Sequence, residues 1–540
     1  MKKIESLSTK VYFKILVYLI LVISFFSCAN TKEAKQINKP ENDKANVIWI
    51  ITDEHNFRTI GAYRDQLPKD QAFVWGDKAY VETPNLDKMA RSGVIFNRMY
   101  CSAAVCTASR ASMMTGMYPM TLGIPNNSNK KGDGKYLKSN VTTIADVLSD
   151  AGYITGYSGK WHLSESRTDR GLDKDKNWWS PYPIDNPNDT YGFQDKRFMF
   201  NGGHDKWIGV DANGNPYKAN HKAIKPLGRN DKYGQPLYTD GKSDNVKFTT
   251  DWLTDKTVEF IDAHKEKSFF YVVSIPDPHT PNEVRAPYDT LFDEVEIHLP
   301  KTYTQAQAQR EEKLPKWQKP DGKSDDKKRL KRDVRQYLGM VKLIDDNIGR
   351  IIKKLKDEGI FENTIIMFSS DHGDLLGEHA RSNKGTIHEA SAKIPCIITQ
   401  GETGKNPLIP RNKVVNLAAN NTDWMPTFLS LLNVDCPKVA GRDISPILNG
   451  SRPADWKDIT YTRLGHYAAI TEHYKLHLAA KEKPWLFDIE ADSSERVNFI
   501  DDPKYTTIAK KLAKDVKNYM VLAKDNNPKI QKLIDNILTK

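Results

Sequence analysis

Features that would identify several common classes of protein are missing from this chain of 540 residues. It has no zinc-finger spacing of cysteine and histidine, no RNP-type aromatic motif and no internal repeat. These absences disfavour the common nucleic-acid-binding modules and the repeat architectures. Cysteine is scarce, with five residues, and an odd number argues against a disulfide framework in an exported chain. We therefore expect a hydrophobic core to hold the fold together.

The composition is that of an ordinary globular protein with an excess of positive charge. Hydrophobic residues make up 39% of the chain and charged residues 28%, and the formal net charge is +11. This charge suits an anionic partner, which could be a nucleic acid or a sulfated or phosphorylated polymer. Because the lysines are scattered and nucleic-acid motifs are missing, we expect no nucleic-acid partner.

The N-terminal segment has the pattern of an export signal. Lys2, Lys3 and Lys10 precede an apolar run over residues 15–26, which is shorter than the about 20 residues of a membrane-spanning helix. The run ends in a serine followed by Cys28, which resembles a bacterial lipobox. We predict a signal peptide over residues 1–27 and a lipidated tether over residues 28–45, in the bacterial outer membrane or facing the periplasm. The alternatives are an uncleaved anchor and ordinary signal cleavage.

Short β-rich runs alternate with amphipathic stretches, which favours an α/β fold with a mostly parallel sheet. The predicted strands are residues 46–52, 153–157, 268–274 and 364–370. The predicted helices in the same part of the chain are residues 141–151, 251–264 and 334–357.

Polar side chains follow each predicted strand at the point where it ends. These groups are Asp53-Glu54, Lys160-Trp161-His162, His279 and Asp371-His372. In open α/β sheets, ligands bind beyond the carboxyl ends of the strands. The sequence therefore predicts one functional site at this edge of the sheet.

The pattern along the chain predicts two domains and two insertions. We expect a catalytic domain over residues 46–450 and a smaller antiparallel subdomain over residues 451–540. The aromatic and Asn-rich segment 164–245 is interpreted as a substrate wall or as surface decoration. The segment 302–331, rich in Lys, Gln and Asp, is interpreted as a solvated charged excursion.

The most informative run is residues 106–116, Cys-Thr-Ala-Ser-Arg-Ala-Ser-Met-Met-Thr-Gly. It places the thiol of Cys106 and the guanidinium of Arg110 in a short helix whose N-terminus can hold an oxyanion. The spacing Cys-x-Ala-Ser-Arg followed by Thr-Gly resembles the signature of type I formylglycine-dependent sulfatases, in the alkaline phosphatase superfamily. With Ala108 in the middle, the run matches the cysteine-type variant of bacterial sulfatases. Without its neighbours, Cys106 would be interpreted as a small buried hydrophobe.

The resemblance implies a single divalent cation, usually Ca²⁺, with Mg²⁺ as the alternative. Its ligands would be Asp53, Glu54, Asp371 and His372, together with the group formed from Cys106. Hard oxygen ligands are those that these two ions prefer. The run Ser-Asp-His-Gly around Asp371 matches the family, whereas Glu54 replaces the more usual second aspartate. The alternative for such paired acids is a solvated turn.

The resemblance also implies a mechanism. Cys106 would be converted to formylglycine (3-oxoalanine) by a formylglycine-generating enzyme or an anaerobic sulfatase-maturating enzyme. One hydroxyl of the aldehyde hydrate, polarised by the metal and Arg110, would attack sulfur, and collapse of the hydrate would later expel sulfate. His162 would take the proton during that release.

Three further residues have roles implied by the same resemblance. Lys160, in Gly-Lys-Trp-His, and Lys384, in Asn-Lys-Gly, would bind sulfate oxygens. His279, in Pro-Asp-Pro-His-Thr-Pro, would protonate the leaving oxygen. For each of these types of residue the alternative is a structural or solvated side chain.

The resemblance extends from about residue 46 to residue 498 and implies a mixed sheet flanked by helices, with a small C-terminal antiparallel sheet subdomain. The implied substrate is a sulfated polysaccharide such as ulvan, carrageenan or fucan, or a glycosaminoglycan. His204, Arg463 and His466 are candidate contacts to it. The alternatives are a phosphonate or phosphodiester hydrolase of the same superfamily and a non-catalytic glycan-binding lipoprotein.

Overall fold

The run of β-branched residues after Ala45 forms the central strand of the molecule, buried along its whole length. The computed structural model describes residues 44–128, 132–165, 191–202, 204–403 and 407–539. The predicted signal peptide, Cys28 and nearly all of the tether lie outside the described residues.

The described strands are β1 Asn46–Asp53, β2 Gly93–Phe96, β3 Met99–Tyr100, β4 Ile154–Lys160, β5 Asp195–Phe200, β6 Trp207–Val210, β7 Pro216–Lys218, β8 Lys225–Asn230, β9 Pro236–Thr239, β10 Val246–Phe248, β11 Phe269–Pro278, β12 Thr364–Ser370, β13 Cys396–Gln400, β14 Lys413–Val415, β15 Ala419–Asn420, β16 Thr460–Arg463, β17 His466–Ile470, β18 Tyr474–Ala479 and β19 Trp485–Asp488.

The described α-helices are α1 Gly61–Arg64, α2 Lys69–Ala72, α3 Pro84–Arg91, α4 Cys106–Thr115, α5 Ile144–Asp150, α6 Thr249–His264, α7 Lys301–Ala308, α8 Lys327–Asp357, α9 Glu389–Ala392, α10 Trp424–Leu431, α11 Thr506–Leu522 and α12 Pro528–Thr539.

Eight of these strands form one mixed sheet in the order β14-β2-β13-β12-β1-β11-β4-β5. The strands from β12 to β5 in that order run parallel, and β13 runs antiparallel to both of its neighbours. Val47 and Trp49 pack into an apolar layer on one face, and Ile48 and Ile50 into a layer on the other. The α/β fold with a mixed sheet flanked by helices is therefore confirmed.

The predicted central strands are close to those observed, whereas the long helix begins earlier than its apolar pattern predicts. Strand β12 coincides with residues 364–370. Helix α8 starts at Lys327 instead of residue 334, because the side chain of Asp326 accepts a hydrogen bond from the backbone N–H of Arg329 and caps a charged first turn.

The C-terminal part contains the predicted antiparallel sheet. Strands β16 to β19 pair in sequence order, and helices α11 and α12 pack on the sheet through one apolar cluster. Asn42–Lys540 form one compact unit by their internal contacts. The domain boundary at residue 450 stays a prediction.

The two insertions have more structure than the sequence indicates. In the segment 164–245, strands β6 to β9 form a five-stranded antiparallel sheet together with β10, which directly follows the segment, and residues 166–190 lie outside the described residues. The prediction of a solvated excursion over residues 302–331 is wrong in part. Tyr303 and Ala306 of α7 are buried, and Trp317 packs edge-on against Trp485 with ring centroids 5.3 Å apart. The many charges of this segment conceal these apolar anchors in the sequence.

None of the helices in the described ranges combines the length and the apolarity that a bilayer crossing requires.

A buried ion network joins the C-terminal sheet to the rest of the fold. Lys475 of β18 is fully buried, and its Nζ lies 2.5 Å from Glu389 Oε1 and 2.7 Å from Glu495 Oε1. The phenol of Tyr100 donates a hydrogen bond of 2.8 Å to the same Glu389 oxygen. Burial lowers and the two carboxylates raise the pKa of Lys475, and the balance raises it, so the lysine stays charged.

We expect Lys475→Met to lower the free energy of unfolding by about 3 kcal/mol or more, because two buried carboxylates lose their cation. Denaturant titration followed by tryptophan fluorescence measures the effect. The matched control is Lys483→Met, since Lys483 pairs with Asp501 on the surface, where we expect a change of about 0.5 kcal/mol. If both substitutions changed the free energy of unfolding equally, the network would not stabilise the fold as described.

Candidate active site

Cys106 is the first residue of helix α4 and is buried beneath the carboxyl edge of the central sheet. Its Sγ lies 3.3 Å from Nε2 of His372 and 3.8 Å from Oδ1 of Asp53. Gly116 ends the helix in the left-handed conformation with φ of 65°, which glycine adopts without strain. Because Cys106 is the first residue of the helix, its side chain lies at the positive end of the helix dipole.

Backbone hydrogen bonds join the ends of β1 and β12, the strands that bring the acidic groups together. The N–H of Asp371 donates to the Thr52 carbonyl at 3.2 Å, and the N–H of His55 donates to the His372 carbonyl at 3.1 Å. Oδ1 of Asp371 accepts from the backbone N–H groups of Glu54, at 3.2 Å, and His372, at 2.9 Å. This pairing holds the two predicted acidic pairs at one point, as the strand ends indicated.

Glu54 contributes the third carboxylate, and its backbone has an uncommon conformation. Its φ of 65° lies in the left-handed region, which costs energy for a residue with a side chain. Oε2 lies 2.9 Å from Lys384 Nζ and 3.0 Å from His279 Nε2. Oε1 is buried and has no hydrogen-bond partner. This oxygen of Glu54 is thus available to coordinate a bound ion.

Buried cations surround these carboxylates. Lys160 is fully buried and pairs with Asp53. The guanidinium of Arg110 donates through Nε to Oδ2 of Asp371 at 2.8 Å and through Nη1 to the Lys160 carbonyl at 2.8 Å. Nη2 of Arg110 has no partner, which leaves a buried donor for an anion.

The charges around the site shift the pKa values of its acids in opposite directions. Burial would raise the pKa of Asp53, but Lys160 and other nearby cations hold it well below its usual range. Burial would also raise the pKa of Glu54, but Lys384 and His279 lower it to about 2. Burial and the charge of Asp53 raise the pKa of Asp371. Repulsion between two adjacent buried carboxylates favours the binding of a cation between them.

The two buried thiols near α4 have opposite electrostatic surroundings. Burial would raise the pKa of Cys106, but Lys160 and Lys384 lower it well below its usual range. Burial, followed by the charge of Asp371, raises the pKa of Cys101. The surroundings of Cys106 therefore favour a negatively charged side chain, whereas those of Cys101 do not.

Three of the predicted histidines lie at the same strand edge. The rings of His204 and His279 stack with centroids 3.7 Å apart, and Nδ1 of His204 lies 3.7 Å from Asp53 Oδ2. His162, which follows β4, adopts a φ of 56°. Burial lowers the pKa of His162, despite an opposing hydrogen bond with Cys106. Burial and the charge of Lys160 lower the pKa of His204 well below its usual range.

The two ring nitrogens of His279 have different surroundings. Nδ1 lies 2.7 Å from the Thr280 carbonyl, which can only accept, so Nδ1 carries a proton. Nε2 lies 2.8 Å from Lys384 Nζ and 3.0 Å from Glu54 Oε2. Nε2 is therefore the ring nitrogen that faces the charged groups of the site.

Several supporting residues were not found from the sequence. Lys206 is buried, pairs with Asp277 and donates a hydrogen bond of 2.7 Å to the carbonyl of His279. The Tyr337 phenol donates to the Glu54 carbonyl at 2.6 Å and accepts from the Asn56 N–H at 2.8 Å. These residues come from distant segments and have no motif, so only the folded chain shows their roles.

The other predicted substrate residues have partners elsewhere. Nε of Arg463 lies 3.0 Å from Oδ2 of Asp525, and His466 is buried beside His477 with ring centroids 4.9 Å apart. Within the described residues, no hydrogen bond or ion pair joins either side chain to the groups around Cys106. Their contact with substrate stays a prediction.

The donor set fits a divalent cation with oxygen ligands. One ligand atom each from Asp53, Cys106, Asp371 and His372 lies within 4.8 Å of the others, and Oε1 of Glu54 lacks a partner. Burial would lower the pKa of His372, but Asp371 raises it to about 9, so a cation that binds here would displace a proton from this ring. A cation at this point would be held by these carboxylates and His372, beside the side chain of residue 106, and would supply Lewis-acid polarisation there.

Comparison with known proteins gives matches across most of the chain. The sulfatase family model matches residues 45–434, and the model for the C-terminal part of N-sulphoglucosamine sulphohydrolase matches residues 377–521. An N-acetylglucosamine-6-O-sulfatase of Bacteroides thetaiotaomicron is 25% identical over 585 aligned positions, covering 94% of this chain and 91% of that protein.

Two further similarities agree with these matches. An ulvan-active sulfatase of Formosa agariphila is 26% identical over 517 aligned positions, covering 91% of this chain and 84% of that protein. A solved complex of a protein with its substrate D-glucosamine-2-N,6-O-disulfate superposes with a TM-score of 0.65 at 22% identity. That superposition covers 90% of this chain and 99% of the other, and it supports the fold.

We expect Ca²⁺, added after chelation, to raise the melting temperature of the protein by about 3 °C or more, because a bound cation stabilises only the folded state. In Asp371→Asn the increment should be lost, since one of the converging carboxylates is neutral. Differential scanning calorimetry measures both. Asp345→Asn, a buried acid bonded to the N–H of Leu86, is the control that should retain the increment. If Ca²⁺ raised the melting temperature of Asp371→Asn as much as that of the wild type, cation binding at these carboxylates would be contradicted.

Proposed function

This chain belongs to the sulfatase family and is a sulfuric ester hydrolase, and we propose that it desulfates a glycan through a formylglycine formed from Cys106. The observation that carries the proposal is the position of Cys106, buried at a helix N-terminus and 3.3 Å from His372. Formylglycine hydrate supplies one hydroxyl that attacks sulfur and a second whose deprotonation expels sulfate. A formylglycine-generating or anaerobic sulfatase-maturating enzyme would have to install it.

Buried positive charge supports the binding of a sulfate ester beside residue 106. Lys160, Lys384 and Arg110 lie around the thiol, and Nη2 of Arg110 is an unpartnered buried donor. Negative charge spreads over the sulfuryl oxygens in the transition state, and fixed cations in a water-poor site stabilise that charge. These three residues therefore serve to bind sulfate and to lower the barrier.

Two histidines are assigned the proton transfers. His279 presents Nε2 as its exchangeable site, held between Glu54 and Lys384, and donates a proton to the leaving alcohol oxygen. His162 has its pKa lowered by burial, so its ring is neutral at neutral pH and can accept a proton as sulfate is released. His204, stacked on His279, contacts the substrate beside the donor.

The proposed substrate class is a sulfated glycan, either an algal polymer such as ulvan, carrageenan or fucan or a glycosaminoglycan. Two relatives act, by their names, on N-acetylglucosamine 6-O-sulfate and on ulvan. The net charge of +11 suits a polyanionic substrate. We further propose, from the sequence pattern alone, that Cys28 carries a lipid that anchors the protein in the bacterial cell envelope.

We expect Cys106→Ala to lower the rate of para-nitrophenyl sulfate hydrolysis by at least about 1000-fold, because the nucleophile is lost. The matched control is Cys101→Ala, which removes a buried thiol a few residues away and should retain the wild-type rate. Release of para-nitrophenol measures both. A Cys106→Ala enzyme that keeps the wild-type rate would contradict the proposal, as would a wild type that prefers an aryl phosphodiester.

Substitution His279→Gln tests the proton donor through the leaving group. We expect about a 100-fold loss of kcat on a sulfated sugar, whose alcohol must be protonated as it leaves. On para-nitrophenyl sulfate the loss should stay within about tenfold, because nitrophenolate leaves as an anion. Steady-state kinetics on both esters measures the difference, with the surface variant His298→Gln as control. Equal losses on the two esters would exclude His279 as the general acid.

A further inference from the structure

A polar groove of about 400 Å³ adjoins the loops that carry two of the active-site residues. One wall is Thr280 and Asn282, which directly follow His279, and the opposite wall includes Asn383, which directly precedes Lys384. This volume lies within the roughly 300–1000 Å³ of small-molecule sites. The groove is therefore lined by the two loops that carry the proposed proton donor, His279, and the proposed sulfate-binding Lys384.

The charged insertion and the start of helix α8 also line the groove, with the cations Lys323 and Arg329 and the carboxylate of Asp333. Lys323 and Arg329 line the groove and are exposed to solvent. In the described part of the chain, no carboxylate lies within ion-pairing distance of Lys323. Arg329 meets only Asp333, at 3.4 Å through Nε, and Arg332 shares that carboxylate. The groove thus offers one cation without a counter-ion, Lys323, and a second, Arg329, that shares its carboxylate with Arg332.

Polar atoms inside the groove complete a surface suited to a sugar. Oδ1 of Asn282 is buried and has no hydrogen-bond partner, so it can accept from a hydroxyl. Asn383 adopts a φ of 61°, an uncommon conformation for a residue with a side chain. By contrast, Oδ1 of Asp374, which also lines the groove, already accepts from the N–H of Leu376 at 2.8 Å.

We propose that this groove binds the sugar next to the one being desulfated, and that Lys323 and Arg329 bind a second anionic group, a sulfate or a carboxylate, on that sugar. The proposal rests on the proposed function, because it takes His279, whose loop lines the groove, as the proton donor to the leaving alcohol. It narrows the substrate class to oligosaccharides with more than one negative charge.

The test measures inhibition of para-nitrophenyl sulfate hydrolysis by disaccharides derived from heparin and from carrageenan. Each disaccharide is used as a pair carrying one or two sulfates. We expect the wild type to bind the disulfated member of at least one pair about tenfold more tightly. In the double variant Lys323→Ala, Arg329→Ala this preference should fall to about twofold or less, while kcat and KM for para-nitrophenyl sulfate stay unchanged.

The matched control is Lys327→Ala, Lys328→Ala, which removes the same charge from exposed positions of the same segment that do not line the groove. We expect it to retain the preference, which separates a local contact from the general effect of net charge. Loss of the preference in both double variants, or no preference in the wild type for any pair, would overturn the groove proposal. Failure of the wild type to hydrolyse any sulfate ester would instead refute the proposed function.

Discussion

Asp53 and Asp371 are fully buried side by side, and the cations around them are what makes that burial tolerable. Lys160 pairs with Asp53 and Arg110 with Asp371, while Lys384 neutralises Glu54. An isolated buried carboxylate costs several kcal/mol, so each acid requires a partner. The same arrangement leaves Oε1 of Glu54 and Nη2 of Arg110 without partners, one suited to a cation and the other to an anion. A stable core and a reactive centre are thus built from the same ion pairs.

The geometry of the sheet explains why these charges meet. Strands β1, β4, β11 and β12 end at one edge, and each is followed at once by a polar group of the site. Glu54 and His162, the residues that leave β1 and β4, adopt positive φ values. Such conformations cost energy in residues with side chains and persist only where the surroundings fix them. The strained strand ends place Glu54 beside Lys384 and His279, and His162 beside Cys106.

Local pattern was enough to predict the fold class and the residues at the strand ends, because short buried runs and their polar exits lie within a few residues of each other. Long-range support could not be predicted in this way. Lys206 and Tyr337 bond to the backbone of His279 and Glu54 from segments with no motif. The prediction of a solvated excursion over residues 302–331 was wrong in part for a physical reason. The buried Tyr303 and the packed Trp317 are outnumbered in this segment by solvated lysines and acids.

The proposed function requires the reactive group at position 106 to be an aldehyde made from cysteine. Preparations matured to different extents should be titrated with an aminooxy reagent, with the labelled residue located by peptide mass spectrometry, and assayed for sulfate release. We predict that kcat is proportional to the fraction of residue 106 labelled, along a line through the origin. Full activity in protein whose Cys106 is an unmodified thiol would contradict the account.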